Sequence, residues 1–241
     1  MSAAVQLFGA VFAQLQTELD WELLGRAYCE GDGSAFFDDT LRERILDTGL
    51  QLADDLARRL ETDGPRHSLY VGAALAELAP LLVETLVLGR KITWLNLAGA
   101  ETRELARALQ AVASRNDVVL PLPIDPSLAR LEAAGCDHLW IVSVLTDPEQ
   151  FPALHDELYE RSNSELATGR GSLLEERARA QELARDWLNC AAARCLLSTS
   201  DEELEILAPL ALDLGWHIDA PDSGGLSAIV GDRVRFCWLE R

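Results

Sequence analysis

The first part of the chain carries two apolar stripes at helical spacing. Leu7, Val11, Phe12, Leu15 and Leu19 fall largely at three- and four-residue steps, and so do Leu41, Ile45, Leu46, Leu50, Ala53, Leu56 and Leu60. Gly31-Asp32-Gly33-Ser34 separates the two stripes, and Asp63-Gly64-Pro65 ends the second. Residues 1–64 therefore read as an N-terminal helical segment whose apolar faces need a surface to cover.

Beyond Pro65 the rhythm changes to short apolar runs alternating with amphipathic ones. Strands are predicted at 69–72, 91–97, 117–122, 138–145 and 194–198, with helices at 75–88, 101–113 and 127–134 between them. Residues 148–193 read as an interrupted helical insertion, broken at 168–172 and resuming at 173–188. This is more chain than a crossover requires. Ser200 with Glu203 forms a capping-box pattern that opens a helix to Leu214, where Gly215 stops it. Three candidate strands follow at 216–220, 226–230 and 233–238, the last two joined by the hairpin signal Gly231-Asp232. Runs that are apolar throughout, separated by helices, imply a mainly parallel sheet covered on both faces, so 65–241 reads as one α/β domain.

Charge narrows the function. Acidic residues number 40 against 21 basic ones, a net charge of −19. A surface that neutralises phosphates needs a Lys or Arg for each, so the balance argues against nucleic acid and against an anionic membrane as partners. The apolar window 69–89 is interrupted by Glu77, Pro80 and Glu84, which suits a strand followed by a buried helix rather than a membrane span. Residues 1–14 lack the basic start and the cleavage site of a signal peptide. The 5 cysteines are dispersed, with no C-x-x-C and no histidine at metal-ligand spacing. They fit a reducing cytoplasm, and no metal site is expected.

The stretch Ser68-Leu69-Tyr70-Val71-Gly72-Ala73-Ala74-Leu75-Ala76 and the C-terminal hairpin together resemble the class I S-adenosylmethionine-dependent methyltransferases. The resemblance implies a doubly wound seven-stranded sheet of order 3-2-1-4-5-7-6, with a glycine-rich turn after the first strand that takes S-adenosylmethionine. The match is partial. Tyr70 stands where the family has an acidic residue, Gly72 keeps the first glycine, and Ala74 and Ala76 replace the other two. Each added methyl narrows the approach of a ligand to the backbone. At the end of strand two the family's ribose-binding acid is matched by Asn96, with Glu101 close downstream, and Asp125 stands where an adenine-edge acid would lie. The resemblance thus names Gly72, Ala74, Asn96 and Asp125 as cofactor-binding positions. Asp147-Pro148 echoes the turn that N-methylating members carry after the fourth strand.

No residue is singled out as catalytic. His138 and His155 are candidate bases only if they face the cleft, and no G-x-S-x-G, P-loop or H-E-x-x-H occurs. Two functions fit. The first is a degenerate, non-catalytic relative acting through a protein partner or a second copy of itself, with helical surfaces at 1–64 and 148–193. The second is an active methyltransferase on a small molecule or a protein. Leu173, Leu174, Leu183, Trp187 and Leu188 make the insertion apolar enough to be an interface or to pack on the sheet.

Overall fold

The computed structural model describes residues 2–28, 36–60, 66–128, 135–162, 164–165, 167–221, 224–226 and 231–241. The break expected at 31–34, the helix end at 63–65, residues 129–134 of an expected helix and 227–230 of an expected strand lie outside the described residues. In chain order the elements are α1 (Ala3–Glu18), α2 (Trp21–Tyr28), α3 (Asp39–Arg59), β1 (His67–Val71), α4 (Leu78–Leu82), β2 (Lys91–Leu95), α5 (Ala100–Asn116) and β3 (Cys136–Ile141). There follow α6 (Pro152–Leu158), α7 (Leu173–Leu188), β4 (Ala191–Ser200), α8 (Asp201–Asp213), β5 (His217–Asp219), β6 (Gly224–Leu226) and β7 (Arg233–Glu240). The fold is mixed α/β, with seven strands and eight α-helices among the described residues. It divides into two compact units, Met1–Arg130 with Gly225–Gly231, and Leu131–Gly224 with Asp232–Arg241.

In the first unit β1 and β2 pair in parallel, with Tyr70 opposite Trp94 and Val71 opposite Leu95. The expected third strand at 117–122 does not form. Pro121 and Pro123 fix their own φ and restrict Leu120 and Leu122 before them, and no regular ladder forms there. A single parallel bridge, Leu95 to Ile124, remains in its place. The helices are packed by their apolar stripes. Asp38 caps α3 by accepting the Leu41 N–H at 2.7 Å. Gly49 of α3 lies so close to the turn after β1 that a Cβ there would stand 3.1 Å from the Ala76 carbonyl oxygen. The N-terminal helices are anchored to α5 by polar contacts. Glu104 accepts the Asp20 N–H at 2.8 Å, and Arg107 reaches both Glu104 and Glu18.

In the second unit β3 is parallel to β4, β4 antiparallel to β7, and β7 antiparallel to β5. This is the 4-5-7-6 run of the expected order, and β2–β1 with the Ile124 bridge stands where 3-2-1 was expected. Ser200 caps α8 by accepting the Glu203 N–H at 3.2 Å, at the position the capping pattern marked. Trp187 and Leu188 of α7 are buried, whereas Leu173 and Leu174 are exposed. The apolar end of the insertion is therefore core. His138 is also core: it is buried, and its Nε2 lies 2.9 Å from the Ser198 hydroxyl across the β3–β4 pair.

The helix after β1 widens into a π turn, Val83–Val87, that turns Glu84 into the interior of the first unit. Its carboxylate accepts the Arg90 Nε–H at 2.8 Å and the Tyr70 hydroxyl at 2.6 Å, and it also accepts the Ser68 hydroxyl. Both charged side chains are almost wholly out of solvent. Removing one partner of such a pair strands the other charge. Glu84→Gln should therefore lower unfolding stability by about 3–5 kcal/mol, read as a shift of the urea midpoint. An unchanged midpoint would show that the pair does not hold the first unit together.

Candidate functional site

The residues singled out from the family resemblance meet where β1 and β2 end. Gly72 turns the chain out of β1 with φ +68°, a left-handed backbone that glycine adopts without a Cβ clash, and its N–H donates to the Leu95 carbonyl at 2.9 Å. The next carbonyl, that of Ala73, accepts two side-chain donors from β2 and its exit, Trp94 Nε1 at 2.9 Å and Asn96 Nδ2 at 3.0 Å. The Asn96 side-chain oxygen is itself taken by the Leu97 N–H at 3.0 Å. Its backbone N–H donates to the Ile124 carbonyl at 3.1 Å. Ala74 follows, and its N–H donates to Glu77 Oε2 at 2.9 Å. Glu101, at the start of α5, accepts the Tyr28 hydroxyl at 2.6 Å.

The electrostatics follow from burial. Glu77 is buried, and loss of water pushes its carboxyl up to about 7, with neighbouring Glu101 adding to the shift. Glu101 is raised as well, chiefly by burial and against its hydrogen bond from Tyr28. Tyr70, which replaces the family's acid, is fully buried and donates to Glu84, so its ring lies in the core rather than across a cleft. Asp125 uses Oδ1 to accept the Ser127 hydroxyl at 2.6 Å and the Ser127 N–H at 2.8 Å, which hold its carboxyl below the usual range. It closes an Asx turn.

Gly72, Ala74 and Asn96 are thus brought together around one carbonyl. Asp125 is next to Ile124 in the chain, and its bonds turn away toward Ser127. Three participants had escaped the sequence reading. Glu77 was legible in principle, since an acid three residues after Ala74 suits the start of a helical turn. Trp94 reads as a core strand residue and Tyr28 as a helix end, and nothing in their spacing marks what they bond.

At the end of β3 in the second unit, Asp147 accepts the N–H groups of Glu149 at 2.9 Å and Gln150 at 2.8 Å, an Asx turn leading into α6. Glu203, fully buried, accepts the N–H groups of Ser143, Val144 and Leu145 at 2.9, 2.6 and 2.6 Å. Burial pushes its carboxyl up to about 7 against those bonds. No cluster of three or more metal-ligating side chains, and no helix long and apolar enough to cross a membrane, occurs among the described residues.

Several solved structures are similar to this chain in fold. Magnesium protoporphyrin IX methyltransferase from Synechocystis PCC 6803, with S-adenosylmethionine bound, aligns over 100% of both chains at 14% identity with a TM-score of 0.53. A SAM-dependent methyltransferase from Aquifex aeolicus aligns over 85% of this chain and 100% of its own, at 12% identity and a TM-score of 0.47. A putative O-methyltransferase from Klebsiella pneumoniae aligns over 92% of this chain and 98% of its own, at 12% identity and a TM-score of 0.45. No protein-family model and no curated protein matches the chain. The fold is that of the class I S-adenosylmethionine-dependent methyltransferases.

Two substitutions test the site. Asn96→Asp would replace a donor with an acceptor facing the Ala73 carbonyl, and should cost about 1–3 kcal/mol in urea unfolding at neutral pH. A neutral effect would mean that the amide does not clamp the turn. Glu77 titrates at about 7 in the folded chain against an ordinary 4.5, so the unfolded chain loses this proton first. Its contribution to stability therefore declines as pH rises through that window and levels off above it. Glu77→Gln keeps an acceptor for the Ala74 N–H and should remove a decline on the order of 3 kcal/mol between about pH 5 and about pH 8. Parallel stability–pH curves for the two proteins would contradict the burial of a titrating acid here.

Proposed function

We propose that this chain is a methyltransferase-like protein that has given up cofactor chemistry and acts by binding another protein chain, a partner or a second copy of itself. The observation that carries this reading is the internal pairing of the turn after β1. The Ala73 carbonyl holds two donors, the Ala74 N–H is held by Glu77, both ends of the Asn96 amide are engaged, and Glu101 is engaged by Tyr28. S-adenosylmethionine would have to displace bonds already made, and an ordered polar group gains little by exchanging one partner for another. Leu97 and Ile124, beside Asn96, keep exposed apolar side chains, which suit contact with another protein better than with water. The dispersed cysteines, those described being buried, suit a reducing cytoplasm.

A catalytic reading has one observation on its side. Gly72, at the position of the family's first glycine, makes a left-handed turn that a residue with a Cβ would strain, which suits a close approach of a ligand to the backbone. Calorimetric titration with S-adenosylmethionine and S-adenosylhomocysteine separates the two readings. The expected result is no binding heat and no rise in melting temperature at millimolar ligand. Saturable one-to-one binding of either compound would overturn the proposal in favour of an active methyltransferase on a small molecule or a protein.

A further inference from the structure

A second polar cluster lies at the other unit's strand ends, and the reading above does not use it. Asp232, just before β7, is buried with 6% of its surface exposed. Its Oδ2 accepts the Tyr159 hydroxyl and faces the Ser143 hydroxyl at 3.4 Å. Its Oδ1 has no hydrogen-bond partner among the described residues and is not sealed from solvent. A carboxylate oxygen left open at the end of an otherwise enclosed side chain is an acceptor waiting for a donor.

The donor side of the cluster is equally incomplete. His155 Nδ1 lies 2.7 Å from the Thr146 carbonyl, which only a ring N–H can satisfy. In the neutral ring that leaves Nε2 as an acceptor, and Arg161 Nη1 donates to it at 3.1 Å. The Arg161 guanidinium sits over the Tyr159 ring, 5.1 Å from its centroid, and has no carboxylate partner among the described residues, although the chain carries 40 acids. One face of the guanidinium is fixed by an imidazole and an aromatic ring, and the rest of the fork remains for an anion. Tyr159 thus touches both charged groups, one through its hydroxyl and the other through its ring.

The backbone here is held in unusual conformations. Ser143 and Glu160 have φ +57° and +54°, two of three non-glycine residues in the left-handed region among those described. Ser143 follows β3, Glu160 lies between Tyr159 and Arg161, and Glu203 holds the Ser143 turn by its N–H groups. The cluster stands beyond the carboxyl end of β3, the side on which open α/β sheets take their ligands.

We propose that Asp232, Ser143, Tyr159 and Arg161 form a binding site for a small zwitterion of the amino-acid type, its ammonium on Asp232 and its carboxylate on Arg161. The two charges need opposite partners at one small site, which a simple amine or a simple acid supplies only by half. Tyr159 ties the two contacts together, its hydroxyl on Asp232 and its ring under Arg161. This site does not depend on whether the turn after β1 takes S-adenosylmethionine.

Thermal-shift titration of the intact protein tests it, using each of the common amino acids in turn, with methylamine and acetate as single-charge controls at matched ionic strength. At least one amino acid should raise the melting temperature by about 3–5 °C for every tenfold excess over Kd, and the controls should not. Asp232→Asn keeps an oxygen for the Tyr159 and Ser143 hydroxyls and should weaken binding about ten- to hundredfold. Arg161→Gln, on a half-buried side chain that forms no ion pair among the described residues, should weaken it similarly and serves if the first variant is unstable. The proposal is overturned if no amino acid shifts the transition, if methylamine or acetate shifts it as much, or if the shift survives undiminished in the variants.

Discussion

One backbone carbonyl organises the end of the first two strands. The Ala73 oxygen has two lone pairs, and both are filled by side chains two residues apart on the neighbouring strand and its exit, Trp94 and Asn96. Residues i and i+2 of a strand share a face, so the parallel register that sets Tyr70 opposite Trp94 also brings both donors to the turn. Gly72 precedes that carbonyl and bonds Leu95, and Ala74 follows it and bonds Glu77, so each residue of the turn is tied to a neighbour. An aspartate at position 96 would bring a negative oxygen to the same carbonyl. The amide suits this place because it donates to the turn and still accepts the Leu97 N–H.

The buried acids show three ways of keeping a carboxylate out of water. Glu84 has a full countercharge in Arg90 and two hydroxyl donors. Glu203 has three consecutive N–H groups and no cation bonded to it, and it is raised to about 7. Glu77 has one N–H and a neighbouring acid, and it too rises to about 7. The contrast reflects how much of the lost hydration each environment replaces. Partial dipoles replace some of it, whereas a guanidinium answers the charge directly.

The helix at 173–188 and the start of α8 were legible because spacing and capping act locally, within a few residues of the atoms that satisfy them. The antiparallel β7 was legible from its turn and its alternating apolar run. The failed strand at 117–122 shows the opposite case. Val118, Val119 and Leu120 favour a strand, yet the prolines that follow decide the backbone. The family resemblance led to Gly72, Ala74 and Asn96, which the fold does bring together. The bonds around them were hidden, because Trp94 reaches the Ala73 carbonyl from the neighbouring strand and Tyr28 reaches Glu101 from an N-terminal helix. A hydrogen bond between distant side chains leaves no periodic trace.

The prolines beside β2 also change what this flank of the sheet can offer to another chain. In an extended run, successive residues direct their N–H and C=O groups to opposite sides, and Ile124 directs both of its groups toward β2. Pro121 and Pro123 therefore face outward, where a regular strand would present a row of N–H donors. Neither proline has one to present. That flank therefore presents two fewer N–H donors than a regular edge strand would, which makes it a poorer template for a foreign strand.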